Sequence, residues 1–165
     1  MPDRTQCPPL RSTARLAAVP PPGAPLASSS AVTTRLLVVE DNASASFALH
    51  AFFQSTGYDV DAATDRVSAL RLLGDKRYEV VITDLNLGGT GSNDGMDVVS
   101  DARQRHAHAC IIMLTAFGSA AAEREARHRG ADLFCAKPVA LRDLSVFIDK
   151  VLRRDHWAAA AGEGR

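Results

Sequence analysis

Four short apolar runs each hand over to a residue that could do chemistry. Leu36–Val39 runs into Glu40-Asp41, Val80–Thr83 into Asp84, Ile111–Leu114 into Thr115-Ala116, and Leu133–Cys135 leads through Ala136 to Lys137-Pro138. If the runs are parallel strands of one sheet, their carboxyl ends share an edge, which is where such sheets bind ligands. Three carboxylates, a hydroxyl and an ammonium then meet. Each has a plain structural use on its own: Asp41 with Asn42 as a helix cap, Asp84 as the start of a turn, Thr115 as the cap of a later helix. Together they say more, because clustered carboxylates in a partly dry site repel one another strongly unless a cation sits among them. The donors are hard oxygens with neither His nor Cys, which favours Mg2+ or Mn2+ over zinc.

The elements that must position these residues follow from periodicity. A fifth run, Tyr58 to Ala62, alternates apolar and polar residues and so predicts an edge strand, whereas the first, third and fourth strands are almost wholly apolar, as central strands covered on both faces are. Amphipathic stretches at roughly 43–56, 65–73, 95–106, 119–129 and 140–153 separate the strands. Alternation of strand and helix predicts an α/β fold with a parallel sheet and helices on both faces. Gly57, Gly74 and Gly130 stand where the helices are expected to stop. Phe47, Leu49, Phe52 and Phe53 in the first helix, and Leu141, Leu144, Val146, Ile148, Val151 and Leu152 in the fifth, are expected as core-facing stripes.

Composition narrows the class. With 46% hydrophobic and 23% charged residues in 165, the chain is expected to be one soluble domain plus tails, and no apolar run approaches the ~20 residues that cross a bilayer. The net charge of zero is unevenly spread: Arg4, Arg11, Arg15 and Arg35 face Asp3 alone in the first 35 residues, which leaves the body slightly acidic. That argues against nucleic acid as a partner of the folded part. Residues 1–34, rich in Pro, Ala and Ser, are expected to be a disordered leader, 35–153 the domain, and 154–165 a flexible tail. A start at Val19 or Val32, through an alternative initiation codon, is a further expectation for the leader. Cys7, Cys110 and Cys135 have no zinc or disulfide spacing and are expected as reduced thiols, in keeping with a cytoplasmic location. The five histidines lack ligand spacing and are expected at the surface.

Between residues 35 and 153 the chain resembles the receiver domains of two-component response regulators. The resemblance rests on five motifs in order: Leu37-Val38-Val39-Glu40-Asp41-Asn42, Val81 to Leu87 around Asp84, Asp94-Gly95-Met96, Met113-Leu114-Thr115-Ala116, and Gly130 to Pro138. It implies a flavodoxin-like, doubly wound five-stranded sheet in the order 2-1-3-4-5 with five helices, an order known from a chemotaxis regulator of this fold. It implies that Asp84 accepts a phosphoryl group from a histidine kinase or phosphotransfer protein. Asp41, Asp84, Glu40 and the backbone carbonyl of Asn86 would hold the metal. Lys137 would be a second positive charge at the phosphoryl group, Thr115 a switch hydroxyl and Phe134 an aromatic rotor. The Lys137-Pro138 peptide is expected to be cis.

The function expected is therefore that of a signalling phosphoacceptor rather than an enzyme proper. It is expected to stand alone and to act on a downstream protein or a second copy through the helix-four, strand-five, helix-five face, shaped by Ala120, Ala121, Ala122 and Phe134. Two alternatives remain: a pseudo-receiver that is never phosphorylated, and an aspartyl-phosphate phosphatase, which needs a general acid where this chain has Asn86. The segment from Asp84 to Gly95 is longer than the family's usual loop, and Gly88 stands where proline is common.

Overall fold

The computed structural model describes residues 33–89 and 92–162. Of the expected leader, residues 1–32 lie outside the described residues, with Cys7 and both possible later starts; so do residues 90–91 of the long loop and 163–165 of the tail. Strands are β1 Arg35–Val39, β2 Asp59–Ala63, β3 Val80–Asp84, β4 Cys110–Thr115 and β5 Leu133–Ala136. Helices are α1 Ala43–Ser55, α2 Arg66–Asp75, α3 Asp94–Arg105, α4 Ala120–His128 and α5 Leu141–Gly162. The sheet is parallel throughout and ordered β2-β1-β3-β4-β5. It is the expected flavodoxin-like arrangement.

The alternating side chains of the strands build two apolar layers. Leu37, Val39, Val81, Ile111 and Met113 pack on one face with Ala69, Met96, Val98, Val99 and Ala126 of α2, α3 and α4. Leu36, Val38, Val80, Ile82, Ile112 and Leu114 pack on the other with Leu49, Phe53, Leu144 and Ile148 of α1 and α5. Every residue of β3 and β4 is buried, so the ends of these strands are held by a core that tolerates little movement.

Three helix expectations are corrected. Phe47 is 74% exposed and Val146 is 53% exposed, so neither belongs to its stripe. Each lies two residues from a buried leucine, Leu49 or Leu144, which turns it about 200° away around the helix. Gly74 does not end α2: it lies inside the last turn, below the Arg105 guanidinium, and Lys76 is the C-cap. Helix α5 runs past residue 153 to Gly162, through an alanine run with high helix propensity and no earlier Gly or Pro. Gly57 and Gly130, at φ 97° and 110°, do follow helix ends in the left-handed conformation.

Candidate functional site

The carboxyl edge of the sheet brings together the residues that the sequence placed there. Glu40 follows β1 and is buried at 2% exposure, Asp84 ends β3 at 7%, Thr115 ends β4 fully buried, and Asp41 is exposed. One oxygen each from Glu40, Asp41 and Asp84 lie within 4.8 Å of one another. The plain capping roles are taken by other residues. Asn42 caps α1, its side chain accepting the Ala45 N–H, and Ser119 caps α4 by accepting the Ala122 N–H. Asp41 and Thr115 are thereby free of that duty.

Lys137, just beyond β5, reaches across two strands into the cluster. Its Nζ donates to Oε2 of Glu40 at 2.5 Å and lies 2.9 Å from Oδ1 of Asp84. Burial pulls the ammonium's pKa down, but its bond to Glu40 and the negative charge of Asp84 outweigh that and hold it above the usual lysine value. Oδ1 of Asp84 is buried and has no aligned hydrogen-bond donor, so Lys137 serves it by charge rather than by a directed bond. The Lys137-Pro138 peptide is cis.

One ammonium against three carboxylates leaves the pocket short of positive charge, and one buried oxygen of Asp84 lacks a directed partner. Both facts fit a hard divalent cation, and the donor set contains nothing that would prefer a softer metal.

The backbone beyond β3 is fitted to Asp84. The Asn86 N–H donates to Oδ2 of Asp84 at 3.1 Å, and Gly88 donates to Oδ2 of Asp41 at 3.0 Å. A Cβ on Gly95 would collide with the carbonyl oxygen of Asp84 and with the Leu85 backbone, so the start of α3 rests directly on the end of β3. Beyond β4, Oγ1 of Thr115 accepts the Phe117 N–H at 3.1 Å. Gly118 lies against both the Thr115 methyl and the Phe134 ring: a Cβ there would meet them at 3.2 and 3.1 Å. Phe134 itself is half-buried.

Several supporting residues were not foreseen. Arg103 of α3 binds the carbonyls of Ala107, Ala109 and Gly130 and the carboxylate of Asp132, which also accepts the Ile111 N–H. It ties α3 to the turn entering β5. Asp97 of α3 pairs with Arg66 of α2 and Arg129 beyond α4. An arginine on a helix announces no such partner in sequence. His106 departs from the surface expectation: it is half-buried, with Nε2 3.2 Å from the Leu73 carbonyl and its ring edge-on to Tyr78. Cys110 is buried and Cys135 half-buried, and neither is in a disulfide.

Comparison with known proteins gives a consistent result. The family model of the response regulator receiver domain matches residues 36–149. The transcriptional regulatory protein TctD of Salmonella typhimurium is 32% identical over 120 residues, which are 73% of this chain and 52% of that protein. Protein PetR of Rhodobacter capsulatus is 32% identical over 133 residues, 81% of this chain and 54% of its own. The chain thus spans about half the length of the curated relatives it matches. Among solved structures, a response regulator protein from Burkholderia pseudomallei with a phosphorylated aspartic acid, calcium ion and citrate aligns with a TM-score of 0.65 at 26% identity, covering 74% of this chain and 72% of that one. The chemotaxis protein CheY4 of Vibrio cholerae aligns with a TM-score of 0.65 at 26% identity, covering 72% and 98%.

Proposed function

Because this chain belongs to the response regulator receiver family, we propose that it accepts a phosphoryl group on Asp84 from a phosphohistidine of a histidine kinase or phosphotransfer protein. The observation that carries this is the meeting of the buried Asp84 carboxylate with Glu40, Asp41 and the Lys137 ammonium at the end of β3. In the transfer an oxygen of Asp84 bonds to phosphorus, the phosphorus–nitrogen bond breaks, and the leaving imidazole keeps the electron pair and takes up a proton. Asp84 becomes an acyl phosphate. Lys137 stays within reach of the new negative charge, and the backbone of Asn86 and Gly95 fixes the strand end from which Asp84 attacks.

Glu40, Asp41, Asp84 and the Asn86 carbonyl would hold Mg2+ or Mn2+. When bound, the ion supplies positive charge to the phosphoryl oxygens, the main requirement of this chemistry. The Burkholderia structure, which holds both a phosphorylated aspartic acid and a calcium ion, supports a role for a divalent cation in this chemistry.

Output is proposed to pass from Thr115 and Phe134 to the α4-β5-α5 face, where a protein target or second copy binds. The contact of Gly118 with both Thr115 and Phe134 supports that route. A cytoplasmic location belongs to the same proposal. Cys110 and Cys135 support it, since neither is in a disulfide, and no helix among the described residues is long and apolar enough to cross a membrane.

The test of the phosphoacceptor is acetyl phosphate with Mg2+, read by intact mass. Wild type is expected to gain one phosphoryl group, and Asp84→Asn and Asp84→Ala none while remaining folded. An acyl phosphate found on another residue in Asp84→Ala would overturn the assignment.

A further inference from the structure

The connection between β3 and α3 reaches back over the pocket to a proposed metal ligand. The Gly88 N–H donates to Oδ2 of Asp41 at 3.0 Å across 47 residues of sequence, and among the described residues this is the one hydrogen bond that the Asp41 carboxylate accepts. Gly88 adopts φ 83°, a backbone conformation that L side chains rarely take. A Cβ there would meet nothing within 4 Å, so the backbone angle, not crowding, calls for glycine. Proline would fail twice, because its ring fixes φ near −65° and it has no N–H to give. Glycine at 88 therefore provides a donor that a proline at this place cannot.

Asp41 needs such a donor more than its neighbours. Glu40 is held by Lys137 and by the Asn42 N–H, and Asp84 by the Asn86 N–H, both from buried positions. Asp41 is exposed, and an exposed carboxylate without a partner moves among rotamers and presents an oxygen to the cluster only part of the time. A hydrogen bond to one oxygen orients the group and leaves the other for a cation, as outer partners of metal ligands commonly do.

Resting on the reading of Asp41 as a metal ligand, we propose that the Gly88 amide is a positioning group: it holds the Asp41 carboxylate ready for a divalent cation, and cation binding in turn tightens the Gly88 end of the β3–α3 connection. The second half follows from the first, because a contact that favours cation binding must be favoured by the bound cation to the same extent. The connection after the phosphoacceptor would then report whether the pocket is loaded.

Amide hydrogen exchange and Mg2+ titration of the full chain, followed by NMR, test this without any phosphoryl transfer. Exchange at Gly88 is expected to be slow in wild type, slower still at saturating Mg2+, and faster by about tenfold in metal-free Asp41→Ala. Mg2+ affinity is expected to fall about tenfold in Gly88→Pro, which has no N–H to donate. A Gly88 amide that exchanges equally in wild type and Asp41→Ala and ignores Mg2+, in a protein whose Mg2+ binding still depends on Asp41, would overturn this inference alone. Equal Mg2+ binding by wild type and Asp41→Ala would overturn the metal site itself.

Discussion

Nζ of Lys137 lies 2.9 Å from Oδ1 of Asp84, an oxygen to which no hydrogen-bond donor is aligned. The pairing is thus by charge, while the directed bond of the same ammonium goes to Glu40. Lys137 faces two buried carboxylates at once and offsets their charge.

Removing that ammonium separates its two effects. Lys137→Met is expected to lower stability by about 1–3 kcal/mol without divalent cations, because Glu40 loses its charged partner in a buried position. The same variant should gain more from Mg2+ than wild type does, since repulsion among Glu40, Asp41 and Asp84 is then unopposed. Chemical denaturation with and without Mg2+ measures both effects. A Mg2+ gain no larger than that of wild type would show that Lys137 does not screen the cluster.

A second prediction concerns the seat of α3. Gly95→Ala places a methyl group against the Asp84 carbonyl and the Leu85 backbone, which are main-chain atoms that cannot rotate away. The expected loss is about 3 kcal/mol, at the upper end for overpacking, with slower phosphorylation of Asp84 by acetyl phosphate. An unchanged denaturation midpoint would mean that α3 can lift off β3 freely.

The strand ends were legible in sequence because β1, β3 and β4 are continuous apolar runs, and a run that ends in Glu40-Asp41, Asp84 or Thr115 marks the sheet edge without further help. Helix faces were less legible. Phe47 and Val146 share the composition of their stripes but not their angle, and composition alone does not separate residues two apart on a helix. The Arg103, Asp97 and Gly88 contacts were not legible at all, since each joins segments far apart in sequence through a long side chain or a backbone amide. The Asn42 and Ser119 caps decided what the sequence left open, by releasing Asp41 and Thr115 from structural duty.

The chain's two tyrosines give a pH prediction. Burial, together with Asp149, pushes Tyr58 up to about 12 from an ordinary 10.0. Burial and the hydroxyl's bond to Asp61 raise Tyr78 as well. Raised values stabilise the protonated form in the native state, so the contribution of Tyr58 is complete below the unfolded value of 10.0 and is lost as pH rises through about 12. Ultraviolet titration of the native protein should therefore show little tyrosinate at pH 10, whereas the chain unfolded in guanidinium should be about half ionised there. A native tyrosine titrating at its ordinary value would contradict the burial and the Asp61 bond.

The last prediction concerns how occupancy of Asp84 leaves the pocket. Oγ1 of Thr115 accepts the Phe117 N–H, and Gly118, one residue on, touches both the Thr115 methyl and the Phe134 ring. A phosphoryl group on Asp84 would compete for the Thr115 hydroxyl, and any shift of Thr115 must be taken up by the Phe117-Gly118 segment or by Phe134, because the β4 core is closed. Thr115→Ala removes the hydroxyl and one of the two groups that flank Gly118, yet leaves Asp84, Lys137 and the carboxylates untouched. Beryllofluoride, which mimics the phosphoryl group, should still bind Asp84 in that variant. The shift it causes in the equilibrium of α4 should fall at least about tenfold, equivalent to 1.4 kcal/mol of lost coupling. Amide NMR of residues 117–136 in treated wild type and Thr115→Ala measures this directly. Thr115→Ser, which keeps the hydroxyl without the methyl, should restore most of the response if hydrogen bonding carries the signal and little of it if packing against Gly118 does. Equal amide shifts in wild type and Thr115→Ala would remove Thr115 from the route altogether.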